Sequence, residues 1–385
     1  MRIAHVVDTI RPVGGAQTYA RRLAELQALG AADVAVVCGD ADGAPVDGCT
    51  ELVGADERGQ RSALRAFRPD VVHVHDGALS RTVEQELHGR GALVRSLHTF
   101  DFARAAVTRH FRNGAICTRP HGGGCLVSAV AKGCAHRVDP RPFLSAYRRV
   151  DMWLPVVRAT PFTVLHSEYM RGIAVDNGVA PQRCAVVPYF VEAPAEAPAP
   201  SAERTVCFAR RLVANKGLDL LLRALADVPE SWDSLLVVGD GWDAGRCRAL
   251  AQRLGLRRVE FRGWTNRDAV ADALAESRVV VMPSRWPEPF GIVGLEAMAS
   301  GRPVVASRAG GIPEWLDDGE TGVLFEPGDR HGLARALERV LGDETLAARL
   351  GAEGRRRIEL FSPERHLTAL DRVYSGVAPA AEVAA

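Results

Sequence analysis

Lysine is almost absent from this chain: of 48 lysine and arginine residues, only Lys132 and Lys216 are lysine. Such a bias leaves few positions where a compact ammonium survives, and the two cations are not interchangeable where a point charge must meet a phosphate oxygen. Lys216 is therefore marked. Long apolar runs are also missing. No segment reaches the ~18 residues of a membrane-spanning helix, and the apolar start 1–8 is too short for a signal peptide and passes straight into a Gly-rich turn. These absences lead us to expect a cytoplasmic, soluble protein. A net charge of +1 with 47% apolar residues points to neither a disordered chain, an acidic tail nor a nucleic-acid partner. The dinucleotide fingerprint Gly-x-Gly-x-x-Gly is absent, no repeat of solenoid period is present, and no Asp-x-Asp at a strand end reads as a metal anchor. Eight cysteines come without targeting to an oxidising compartment, so Cys38 and Cys207 read as small core hydrophobes.

What is present is a pattern written twice. A chain of 385 residues suggests two or three domains, and the repeated pattern favours two. Short β-branched runs at 3–8, 34–39, 71–76, 93–98 and 163–167 each end in turn residues, with a first crossover helix at 16–29. Their continuous apolar character argues for burial on both faces of a parallel sheet. The pattern restarts with strands at 204–209, 235–239, 259–263, 279–283 and 303–306 and helices near 216–227, 245–254, 267–276 and 292–300. Two doubly wound α/β sheets are expected. We read 1–190 as one Rossmann-like domain, the proline-spaced stretch 191–203 as a semi-rigid linker, 204–360 as the second domain, and 361–385 as a helix packing back on the first.

The densest chemistry lies at 287–296. A strand feeds a loop that opens a helix near Gly291, so the amides of Phe290, Gly291, Ile292 and Val293 are expected to be first-turn donors that favour a phosphate. Glu296, about a turn and a half into that helix, is placed to accept from ribose hydroxyls, and Glu288, before the turn, to face a sugar. Upstream, Arg211 and Lys216 offer two cations.

Glu288 and Glu296, in Glu-Pro-Phe-Gly-Ile-Val-Gly-Leu-Glu, followed by Ala-Met-Ala-Ser-Gly-Arg-Pro-Val-Val-Ala-Ser and Gly310-Gly-Ile-Pro-Glu314, resemble the E-x7-E region of the retaining GT-B glycosyltransferases of family 4. The resemblance runs over most of the chain and is strongest from Arg204 to Asp329. It implies two Rossmann-like domains facing a cleft, a nucleoside-diphosphate-sugar donor held mainly by the second, no metal, and retention of anomeric configuration. Arg210-Arg211-Leu-Val-Ala-Asn-Lys216-Gly resembles the family's G-R-L-x-x-x-K-G, which puts Arg211 and Lys216 on the donor diphosphate, with Arg210 standing where the family has glycine. Gly14-Gly15-Ala-Gln is similar to the family's glycine turn, and implies contact with donor phosphate or acceptor. His98, at a strand end, matches a family histidine close to the transferred sugar, although His-Thr replaces His-Asp; His166 ends a strand in a similar way. Gly239-Asp-Gly and Phe-Arg-Gly-Trp264 resemble turns around the nucleobase.

Cys117, Cys125 and Cys134, with His121 and His136, form an insertion similar to one in a subset of the family. Their spacings are not the tight pairs of structural zinc, so an acceptor-side loop ranks above a zinc site. Arg104, Arg109, Arg112, Arg141, Arg148 and Arg149 suggest a basic rim for a lipid-linked acceptor or peripheral contact at the inner membrane face, with a solvated helix face as the plainer alternative. The expected reaction moves a hexosyl or amino-hexosyl group to an acceptor hydroxyl on a saccharide, lipid-linked saccharide or natural product. A catalytically silent nucleotide-sugar-binding relative and a GT-B epimerase or phosphorylase are the competing readings.

Overall fold

The computed structural model describes the chain except residues 12–13, 40–44, 55, 78, 80, 89–92, 104–116, 118, 132–140, 198–199 and 378–385. Two compact units emerge among these: 1–103, 117–189 and 363–377 contribute to the first, and 190–362 to the second.

Among the described residues the first unit holds strands β1 (Arg2–Val7), β2 (Asp33–Cys38), β3 (Thr50–Val53), β4 (Val71–His75), β5 (Leu93–Leu97), β6 (Phe162–Leu165) and β7 (Cys184–Val186). They pair in parallel in the order β3-β2-β1-β4-β5-β6-β7. The second holds β8 (Thr205–Ala209), β9 (Ser234–Val238), β10 (Val259–Gly263), β11 (Val279–Met282), β12 (Val304–Ser307) and β13 (Gly322–Phe325), parallel in the order β10-β9-β8-β11-β12-β13. Central strands such as β4, β5, β8 and β11 are buried at every residue, because helices cover both faces of each sheet. The α/β class and the ten strands read from sequence are present within a residue or two. β3, β7 and β13 were not expected: each is an edge strand of three or four residues, so none carries the long apolar run that double-sided burial imposes.

Both orders reverse direction once, between β1 and β4 and between β8 and β11. At such switch points the loops leaving the carboxyl ends of neighbouring strands diverge, and ligands of open α/β sheets bind there. Helix Gly15–Leu29 follows β1. Helix Pro363–Val377 belongs to the first unit, where Tyr374 reaches His73 at 2.7 Å. The stretch after Tyr189 belongs to the second, held by Val191 N–H on Phe361 O at 3.0 Å and by Arg355 on Pro194 O at 2.6 Å.

Candidate active site

In the second unit the loops after β8 and β11 are tied together. Arg285 donates its N–H to Asn215 O at 2.9 Å and its guanidinium to Asp219 at 2.6 Å. Between them lies the carboxylate of Glu288. Its Oε1 accepts from Arg210 Nη2 at 2.5 Å, Lys216 Nζ at 2.9 Å, Trp286 Nε1 at 2.9 Å and the Ser284 hydroxyl, and its Oε2 accepts from Lys216 Nζ at 2.8 Å. Glu288 and Arg210 side chains are 4% and 5% exposed and Lys216 11%. Burial pushes the Glu288 carboxyl up, but Arg210 and Lys216 more than reverse it and hold the group at about 2. The same burial drives the Lys216 ammonium down, with Glu288 opposing and Arg210 reinforcing the fall. We read the pair as ionised, since each charge is the other's nearest compensation.

The backbone at Glu288 is pinned as well. Gly311 N–H donates to Glu288 O at 2.9 Å, and Gly310, at φ +63°, lies so close that a Cβ there would sit 2.1 Å from that oxygen. Only glycine fits. Gly291 N-caps helix Ile292–Ala299 at φ +109°, without a side-chain cap, which leaves the helix start available to an anion. Gly291, Ile292 and Val293 are half-buried, Phe290 is buried, and its carbonyl accepts from Trp315 Nε1 at 2.8 Å. Glu296 is half-buried, and burial raises its carboxyl against the pull of Arg267.

Arg211 is near enough for its charge to act on Lys216. It is exposed, and Arg210 is the guanidinium on Glu288. Gly239, at φ +121°, already spends its N–H on Gly263 O at 2.7 Å. Trp264 is 58% exposed, and so is a neighbour on the loop after β9, Trp242, at 76%.

The first unit holds a second polar centre, on β1, β4, β5 and β6. Register brings His5 beside His73, and alternation puts His75 on the same face. Gln27 Oε1 can only accept, so His5 Nε2 donates to it at 2.6 Å, and the tautomers follow in sequence. His75 Nε2–H donates to His5 Nδ1 at 3.1 Å, His98 Nε2–H to His75 Nδ1 at 3.0 Å, and Tyr189 O–H to His98 Nδ1 at 2.6 Å. A branch runs from Gln27 Nε2 to Tyr374 at 3.2 Å, then to His73 Nδ1 at 2.7 Å, and from His73 Nε2 to Ser96 at 2.7 Å. Every ring is neutral in this scheme, in line with burial lowering His5 to about 4 and His98 to about 3. His98, expected close to a sugar, thus spends both side-chain nitrogens inside the unit. His166 donates Nδ1–H to Val187 O at 2.9 Å and stacks on Tyr189.

His5, His73 and His75 do place ligand atoms within 4.8 Å of one another. The closed donor–acceptor chain already occupies both nitrogens of each ring, so we read a structural network. Cys117 is buried, Cys125 half-buried, and His121 Nε2 is bonded to Asp151 at 2.8 Å; Cys134, His136, Arg104, Arg109 and Arg112 lie outside the described residues. Arg141, Arg148 and Arg149 are exposed, and among the described residues no helix is long and apolar enough to cross a membrane. Gly14 is the N-cap of helix Gly15–Leu29, and Gly15 is exposed.

Sequence reasoning missed the carboxylates at the other switch point. Asp8 follows β1 and Asp76 follows β4, where Asp76 accepts from His98 N–H at 2.8 Å. Burial raises Asp76 to about 6 and, with the Asp76 charge, raises Asp8 and Asp101. An acidic residue just past a strand end was the signal available.

Residues 191–357 match the family described as glycosyl transferases group 1. The second unit therefore carries a domain of that family. Over 166 residues the chain is 39% identical to the lipopolysaccharide core biosynthesis glycosyltransferase LpsE of Rhizobium meliloti, covering 43% of this chain and 45% of that protein. Over 180 residues it is 37% identical to the D-inositol 3-phosphate glycosyltransferase of Streptomyces avermitilis, covering 44% and 39%. The matches thus span less than half the length of these curated relatives. The fold is similar to the sucrose-phosphate synthase of Thermosynechococcus elongatus (TM-score 0.74, 23% identity, 97% and 98% of the two chains). Anabaena HepE, solved with UDP and glucose, is similar too (TM-score 0.72, 20% identity, 97% and 99%). Two parallel-sheet Rossmann-like units of the GT-B type are the shared architecture.

Proposed function

We propose that the chain is a retaining, metal-independent glycosyltransferase, moving a hexosyl or amino-hexosyl group from a nucleoside-diphosphate sugar to an acceptor hydroxyl. The observation that carries the reading is the Glu288 carboxylate shared by two buried cations at the β8–β11 switch point, beside an uncapped helix start. This centre holds one more positive than negative charge, which suits a diphosphate.

In this mechanism Lys216, the exposed Arg211 and the amides at 290–293 hold the diphosphate. As the bond from the anomeric carbon to the β-phosphate oxygen breaks, charge grows on that phosphate, and fixed cations stabilise it without reorganising. The acceptor oxygen bonds to the same face of the anomeric carbon, and its proton passes to a phosphate oxygen. Glu288 orients the sugar, Glu296 the ribose, the loops carrying Gly239 and Trp264 the base, and Gly14 and Gly15 contribute through the helix start. The relatives are named glycosyltransferases, and HepE was also solved with UDP-glucose, so UDP is the first nucleotide to try.

Arg211→Ala is expected to lose most turnover with the fold intact, and an α-linked donor to give an α-linked product by proton NMR. Activity unaffected by EDTA is the third expected result. An inverted product, or full activity of Arg211→Ala, would contradict this assignment.

A further inference from the structure

Arg210 stands where the resembled motif has glycine, and its side chain is built into the interior. Nη2 donates to Glu288 at 2.5 Å and Nη1 to Ser284 Oγ at 2.6 Å, while Ser284 donates in turn to Glu288. Oε1 of Glu288 thus faces four donors, more than its two lone pairs take well. Donors and positive charge are both in surplus there.

We propose that Arg210 is a positioning residue for the donor diphosphate, serving as the standing counter-ion of Glu288 so that the Lys216 ammonium is available to a phosphate oxygen. This rests on the nucleoside-diphosphate reading above. With Lys216 as sole partner, the ammonium could reach a phosphate only by leaving a buried carboxylate uncompensated, which is strongly unfavourable. A guanidinium fork that grips Glu288 and Ser284 together removes that conflict, and a lysine cannot reproduce its two-point hold. The groups facing Lys216 are Glu288, Arg210, Arg211 and the Trp286 ring, whose centroid lies 4.6 Å from Nζ. Burial lowers the ammonium most and Arg210 adds to it, bringing it to about 7.

Because the chain has two lysines, the titration of Lys216 can be read directly by NMR of protein labelled with ε-¹³C lysine, with Lys132→Arg assigning the signals. Wild type and Arg210→Gly are compared for that midpoint, and both, together with Arg210→Lys, are compared by calorimetry for binding of UDP, GDP and ADP against the matching monophosphates. In Arg210→Gly the midpoint should rise toward the ordinary lysine value, and the preference for diphosphate over monophosphate should fall at least ~10-fold (about 1.4 kcal/mol), with monophosphate binding unchanged. Arg210→Lys, which adds a lysine of its own and is read by calorimetry only, should lose part of the preference, and that loss answers the question alone if the glycine variant does not fold. A wild type that binds none of the nucleotides overturns the donor reading and this proposal with it. A wild type that binds, beside variants whose preference and, in Arg210→Gly, midpoint do not move, overturns the role of Arg210 alone.

Discussion

At the scale of single residues, the carboxylate of Glu288 meets two cations, a hydroxyl and an indole N–H, so removing it is a structural event before it is a chemical one. Glu288→Ala leaves Arg210 and Lys216 as buried, uncompensated cations, and should destabilise the second unit by about 3–5 kcal/mol. Urea unfolding checks this, and a loss under about 1 kcal/mol would mean the cations find other partners. Gly310→Ala should also disturb the site from outside it, because the new Cβ collides with the Glu288 carbonyl. Lys216 and Glu288 were legible in the motif. Arg210 was not, since the motif has no side chain there to anticipate. The bonding of His98 was not legible for a different reason: its hydrogen-bond partners, His75 and Tyr189, lie 23 and 91 residues away, beyond any local pattern.

At the scale of elements, strands buried on both faces announced themselves by unbroken apolar runs, and edge strands did not. β3 carries Glu51 and is largely exposed, while β13 opens on Gly322, so both read as loop. The helix Ile292–Ala299 was legible because Gly291 punctuates its start. Gly291→Ala would force a side chain into φ +109° with its Cβ 3.0 Å from Met282 Cε, a strain of order 1–3 kcal/mol. We expect a lower melting temperature together with weaker nucleoside-diphosphate binding, measured by calorimetry. Unchanged binding would detach the helix start from the donor.

At the scale of the whole molecule, the two units should respond differently to acid. Six imidazoles of the first unit, His5, His73, His75, His98, His166 and His366, are lowered by burial. A base depressed in the folded state contributes stability above its unfolded value of ~6.5, and loses it as pH falls toward the folded values, at about 1.4 kcal/mol per pH unit per ring. At pH 5.5 six rings give up roughly 8 kcal/mol, comparable with a domain's whole stability, offset in part as the raised Asp76, Asp8 and Asp101 take up protons. Differential calorimetry should show one transition moving down steeply between pH 6.5 and 5 while the other moves little; transitions that shift together would argue against a neutral histidine network. The doubling of the fold was plain in the sequence. The network that fills one half was not, because its members come from β1, β4, β5, two helices and the loops that carry His98 and Tyr189, and only the fold brings them together. Release of nucleoside diphosphate from UDP-, GDP- and ADP-hexoses, by wild type and by Lys216→Ala, tests the donor site most directly. The account predicts release from at least one donor by the wild type and a fall of at least ~100-fold in the variant with its fold intact; no release from any donor, or equal rates in the two proteins, would contradict it.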